Sequence, residues 1–252
     1  MSLYVVATPI GNDFDLGGRA RELLLAAQVV VGEEHREVRR LLKIAGAGPD
    51  KAVLLLNEHS RPEDIVELTN LAKERVMVLV SDCGTPGFCD PGSLLVASCR
   101  RAGVEIQSVP GPSSLMALLS ILGHRLDNFY FAGFLPANRE ERARAWRDLK
   151  TRREPIVLMD TPYRLERVLS ELCGHFANRR VSLGMNLSTE NECVAEGPPK
   201  DLLSRFKGQK NEFLIVLHSK EPEFDSSESR QRSQARSQGR GFAFSRKKSK
   251  RK

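Results

Sequence analysis

Short, nearly all-apolar runs alternate with amphipathic stretches along most of the chain. The runs at 3–7 (LYVVA), 29–31 (VVV), 53–56 (VLLL), 76–80 (VMVLV) and 104–109 (VEIQSV) predict strands. Between them, 19–27, 34–43, 62–73 and 94–101 carry apolar residues at helical spacing and predict helices. Strands that lack a polar face and alternate with helices indicate a parallel sheet covered on both sides, here a first α/β domain over residues 1–111. After Pro110-Gly111-Pro112 the pattern restarts. It predicts helices over 113–122, 138–150, 163–172 and 199–206, and strands over 128–133, 155–159, 180–187, 192–196 and 212–218. The last three strands lie close enough in sequence for antiparallel pairing, so the second α/β domain, over 112–220, should hold a mixed sheet.

Composition changes this picture in one place. The 252 residues are 40% hydrophobic and 28% charged, enough for one large core or two smaller ones. The net charge is +7, yet residues 225–252 hold ten Lys and Arg against two acids, which leaves the remainder near −1. The segment 221–252 is rich in Ser, Gln, Gly and Arg and is expected to have no fixed fold and to gather polyanions. No run approaches the ~20 apolar residues that cross a bilayer, and the N-terminus lacks a secretory pattern, so no membrane association and a cytoplasmic location are expected. Five cysteines without a C-x-x-C pair or nearby histidines at ligand spacing argue against a metal site or a disulfide framework.

Three Gly- and Pro-rich segments follow predicted strands of the first domain: Thr8-Pro9-Ile10-Gly11-Asn12, the twelve residues from Ser81 to Gly92, and Pro110-Gly111-Pro112-Ser113-Ser114. In a parallel sheet all three emerge on one rim, where ligands bind. Neither a dinucleotide fingerprint nor a phosphate-cradling glycine loop is present. The hydroxyls of Thr85, Ser113 and Ser114, the Asp82 carboxylate and the apolar Ile10, Phe88 and Met159 suit a nucleoside with a hydrophobic or zwitterionic tail.

The segments LYVVATPIGN, EEHR (33–36), LVSDCGTPGFCDPG, VPGPSS and FYFAGFLPA (129–137) resemble, in order over residues 3–217, the ribosomal RNA small-subunit methyltransferase I family, a branch of the tetrapyrrole methylase superfamily. The resemblance implies two α/β domains with S-adenosylmethionine in the cleft between them and a homodimer. It also implies methyl transfer to the ribose 2′-hydroxyl of a cytidine in small-subunit ribosomal RNA. Cofactor contacts would fall on the Pro9–Ile10 turn, Thr85, Phe88, Ser113, Ser114 and Met159. The chain departs from the family where an Ala-Arg-Glu-Leu-Thr-Lys segment is replaced by Gly184-Met185-Asn186-Leu187-Ser188-Thr189, which carries no charge.

A ribose hydroxyl is a poor nucleophile at neutral pH, so the site has to orient it and help remove its proton. Strand-end placement offers Glu34 and Arg36 after the second strand and His59 after the third as catalytic candidates. Glu33, beside them, reads equally as an acid complementing a helix start. Two other readings stay open at this stage: a tetrapyrrole or other small-molecule methyltransferase, and a non-catalytic relative that binds RNA or the ribosome. The basic tail favours an RNA partner, since each neutralised phosphate releases counterions.

Overall fold

A computed structural model of the chain describes residues 1–219. The basic tail, and with it the expectation that it has no fixed fold, lies outside the described residues. The first sheet contains β1 (Ser2–Val6), β2 (Val29–Gly32), β3 (Ala52–Leu55), β4 (Met77–Leu79) and β5 (Glu105–Val109), in the order β3-β2-β4-β1-β5. Every pairing in it is parallel, in keeping with the apolar runs of the inner strands, while β5 at the edge carries Glu105, Gln107 and Ser108. One face packs on α1 (Gly18–Ala26) and α2 (His35–Ala45) through Leu24, Val38 and Leu42, and the other on α3 (Pro62–Glu74) and α4 (Gly92–Arg101) through Leu68, Leu95 and Cys99.

The second sheet contains β6 (Tyr130–Phe134), β7 (Ile156–Asp160), β8 (Val181–Met185), β9 (Cys193–Gly197) and β10 (Phe213–Leu217), in the order β6-β7-β10-β8-β9. β6 and β7 run parallel, whereas β10 is antiparallel to both β7 and β8, and β8 to β9, so the sheet is mixed. Helices α6 (Arg139–Lys150), α7 (Leu165–Phe176) and α8 (Pro199–Phe206) cover one face, and α5 (Ser114–Ile121) covers the other together with Ile10 from the first sheet's rim. Trp146 on α6 is buried and stacks on His175, with centroids 5.3 Å apart, so it serves packing. Both sheets belong to one compact unit, Met1–Ser219.

Element ends depart from the pattern where local chemistry competes with it. The helix expected over 163–172 starts as a 3-10 turn, Pro162–Arg164, and its α-helical part runs on to Phe176. Gly174, a poor helix former, hides that continuation, which is held because Leu172 and Phe176 are buried. Gly32 matters for the site. A Cβ there would lie 2.4 Å from Val38 Cγ2 and 3.1 Å from Val80 Cγ2, so only glycine lets α2 start hard against the end of β2 and set Glu33 on the rim.

Candidate functional site

The three Gly- and Pro-rich loops converge on the carboxyl edge of the first sheet and are stitched to one another. Thr8, buried, donates its backbone N–H to the Gly84 carbonyl at 2.8 Å and its hydroxyl to Ser81 O and Gly84 O at 3.2 and 3.3 Å. The Thr85 hydroxyl donates to Pro112 O at 3.1 Å, which ties the second loop to the third. Gly84 takes φ +85°, a conformation that strains any side chain, and a Cβ there would contact Ile10 and the Pro112 carbonyl. The second loop also closes on itself. Both Asp90 carboxylate oxygens accept from Gly87 N, at 2.8 and 2.7 Å, and one accepts from Gly92 N at 2.8 Å.

Above these loops lies a cavity of about 360 Å³ between the two sheets. Ile10, Asp82, Thr85, Phe88, Ser113, Ser114 and Met159 all line it, which brings together every binding candidate except Pro9. Pro9 is buried beneath and shapes the turn that presents Ile10. The second sheet contributes Phe134 at the end of β6, Asp160 at the end of β7 with Thr161 after it, Leu187 after β8, and Phe213 and Leu214 at the start of β10. Ser113 also caps α5, accepting from Met116 N at 3.5 Å.

A second cavity, of about 460 Å³, adjoins the first and shares Glu33, Asp82, Phe88, Cys89 and Asp90 with it. Glu34, Glu58 and His59 line this second space, and Arg36 lines neither. Phe88 stands in the partition, its ring tilted against Phe131 with centroids 4.5 Å apart. His59 is largely exposed, its ring 3.7 Å from the Glu58 carboxylate. Its loop is set by Asn57, whose side-chain oxygen accepts from His59 N at 3.0 Å. Glu34 is the N-cap residue of α2, and its backbone N–H donates to Asp82 Oδ1 at 3.3 Å.

Glu33 carries the most perturbed carboxyl group of the site. Burial first, and then the negative charges of Asp82 and Asp90, push it up to about 7. Burial also raises Asp82, against the hydrogen bond from Glu34 N.

On the wall formed by the second sheet, Arg142 is buried and gathers several groups. Its Nε donates to both Glu171 carboxylate oxygens at 2.9 Å, and Nη1 and Nη2 reach Asp160 Oδ2 at 3.3 Å. Nη1 also reaches the Leu135 and Pro136 carbonyls at 3.3 Å. Asp160 Oδ1 accepts from Thr161 N at 2.9 Å and from Arg164 at 3.2 Å. The strand-end turns after β6 and β7 are thus fixed by one guanidinium.

The uncharged segment after β8 is held by hydrogen bonds, two of them to carboxylates outside it, those of Glu192, to which Ser188 N donates at 2.7 Å, and Asp15. Asn186 and Ser188 adopt φ of 49° and 65°, Asn186 Nδ2 donates to Asn211 Oδ1 at 2.9 Å, and the Ser188 hydroxyl donates to Asp15. Leu187, between them, is buried against the first cavity.

The donor set suits a nucleoside joined to a short aliphatic chain. The lining combines the hydroxyls of Thr85, Ser113 and Ser114 and loop backbone with the apolar group Ile10, Met159, Leu187 and Leu214, and among the described residues no cluster of metal-ligating side chains occurs.

Residues 2–203 match the family described as Tetrapyrrole (Corrin/Porphyrin) Methylases. The chain is 34% identical over 223 residues to the ribosomal RNA small subunit methyltransferase I of Xylella fastidiosa (strain Temecula1), with 86% of this chain and 81% of that protein covered. It is 36% identical over 220 residues to the protein of that name from Leptospira biflexa, covering 86% and 90%. Among solved structures it is similar to a diphthine synthase (TM-score 0.68, 16% identity, 86% and 90% covered). It is also similar to the uroporphyrin-III C-methyltransferase of Thermus thermophilus complexed with S-adenosyl homocysteine (TM-score 0.61, 21% identity, 86% and 97% covered). At these identities the structural likeness speaks for the fold.

Proposed function

The chain belongs to the ribosomal RNA small subunit methyltransferase I family of tetrapyrrole methylases, S-adenosylmethionine-dependent methyltransferases, and from that premise we propose that its acceptor is the ribose 2′-hydroxyl of a cytidine in small-subunit ribosomal RNA. The observation that carries this reading is the pair of adjoining cavities with a common partition. One is lined by apolar groups and hydroxyls and fits the cofactor; the other is polar and leads the acceptor to it.

When bound, S-adenosylmethionine supplies an electrophilic methyl group on a sulfonium centre. The chain's own residues then have three tasks: to hold the nucleoside, to present the acceptor oxygen in line, and to take its proton. Ile10, Thr85, Phe88, Ser113, Ser114 and Met159 hold the nucleoside, with Pro9 shaping the turn below and Asp82 at the partition. Glu34 and His59 orient the incoming ribose from the second cavity. Arg36 lies exposed on the first turn of α2, outside both cavities, and suits contact with an RNA phosphate rather than with the reacting atoms. A homodimer and a cytoplasmic location belong to the same proposal.

The test is incubation with methyl-labelled S-adenosylmethionine and small-subunit RNA, followed by digestion to nucleosides. Label in 2′-O-methylcytidine is the expected result. Label on a base, or nowhere in the RNA, would overturn it.

A further inference from the structure

Of the five residues that line both cavities, one is placed to take a proton from a hydroxyl held between them. Phe88 has no titratable group. Both Asp90 oxygens are held by loop amides, and Asp82 Oδ1 receives the Glu34 amide. The Cys89 thiol is pushed up by burial and by Asp90, so it is no ready base. Glu33 remains. It is half-buried on the partition, directly after Gly32, and its backbone carbonyl accepts from Asn57 Nδ2 at 3.5 Å.

We infer that Glu33 is the proton acceptor for methyl transfer, an inference that rests on the 2′-hydroxyl reading above. In the step, the ribose oxygen forms a bond to the methyl carbon while the carbon–sulfur bond breaks. That bond's electron pair stays on sulfur, leaving S-adenosylhomocysteine. The hydroxyl O–H bond breaks and its proton passes to the Glu33 carboxylate, which later releases it to solvent through the open second cavity.

The groups around Glu33 poise it for this task. Asp82 and Cys83 come from the loop after β4, Cys89 and Asp90 from the approach to α4, Glu58 and His59 from the loop after β3, and Glu34 from the next position in the chain, while Asp160 at the end of β7 and Glu212 just before β10 line the first cavity from its other side. Burial first, and then the charges of Asp82, Asp90 and Glu34, lift Glu33 to about 7 against a hydrogen bond from the Asp82 backbone N–H, without a cation among the causes of its shift. A carboxylate so placed is a far stronger base than an exposed one and is still ionised in useful proportion near neutral pH.

Three measurements test the inference. In the cofactor-free protein, the side-chain carboxyl carbons of 13C-labelled glutamates should include one that titrates near 7, and that signal should vanish in Glu33→Gln. In the methyltransfer assay, the wild-type rate should rise with pH through an acid limb. Glu33→Gln should lose that limb and ~10²-fold or more in kcat, with cofactor affinity by calorimetry almost unchanged. Glu33→Asp should keep the limb at reduced rate, which distinguishes a lost base from a lost fold. A Gln variant that keeps the wild-type rate and limb, or no glutamate titrating near 7, would overturn the assignment. Failure of the wild-type protein to form any 2′-O-methylated nucleoside would instead overturn the acceptor reading.

Discussion

Ionising Glu33 works against folding, and this gives the residue a signature independent of catalysis. Below pH 4.5 its carboxyl is protonated in both folded and unfolded chains and costs nothing. As pH rises from 4.5 to about 7 the unfolded chain ionises while the folded one resists, so stability is lost across that window and stays lost above it. At about 1.4 kcal/mol per pH unit, discounted for a side chain that still meets solvent, Glu33→Gln should stabilise the protein by about 1–2 kcal/mol at pH 8. At pH 4 it should change little, and urea unfolding at the two pH values checks the sign. On the other side of the partition, Ser113→Ala should weaken cofactor binding by only about 1 kcal/mol, one ordinary hydrogen bond, whereas Thr85→Trp should abolish it in calorimetry. Strand-end position made Glu33 and Glu34 equally visible in the sequence. What separates them is the packing of the Ser81–Gly92 loop against the start of α2, which encloses one carboxylate and leaves its neighbour exposed, and no spacing rule carries that difference.

Between elements, the decisive contact is the one that sequence patterning hides best. In Arg139–Lys150 the charges alternate densely, and Arg142 reads as one more solvated cation. It is buried because α6 lies on α7, where Glu171 meets it, and because β7 ends in Asp160 directly beneath. Replacing Arg142 by Met should cost about 3–5 kcal/mol, since Asp160 would be left buried without its main partner. The triple change Arg142→Met, Asp160→Asn and Glu171→Gln should recover much of that loss in denaturant unfolding, because the penalty comes from uncompensated charge rather than from lost attraction. An Arg142→Met variant as stable as wild type would mean that Arg164 alone neutralises Asp160. The strands and most helices, by contrast, were legible, since apolar runs and helical periodicity report burial directly. Their ends were less so, as the 3-10 start at Pro162 and the extension past Gly174 show.

For the whole molecule, parallel strand order places the loops after β1, β4 and β5 on one rim, so that half of the cavity could be read from glycine and proline spacing. The other half could not. Leu187, Phe213 and Leu214 reach the cavity only because β10 inserts between β7 and β8 and the second sheet faces the first sheet's rim, an arrangement set by how the two cores pack. Charge divides the chain differently from structure. Both sheets and both cavities lie within residues 1–219, while ten of the 39 basic residues fall in 225–252. A protein ending at residue 224 should therefore keep its cofactor affinity. Its RNA binding should change in a specific way. If the tail's Lys and Arg neutralise phosphates, log affinity falls with log salt at about −0.7 per contact on single strands, and truncation should flatten the slope by several units. The choice of methylated nucleotide should stay the same, because phosphate contacts position RNA without reading its bases. Filter binding across a salt series, run beside nucleoside analysis of the product, measures both. An unchanged slope would place the RNA-binding charge on the two-sheet body, where its near-neutral balance would require a local basic patch to hold the substrate.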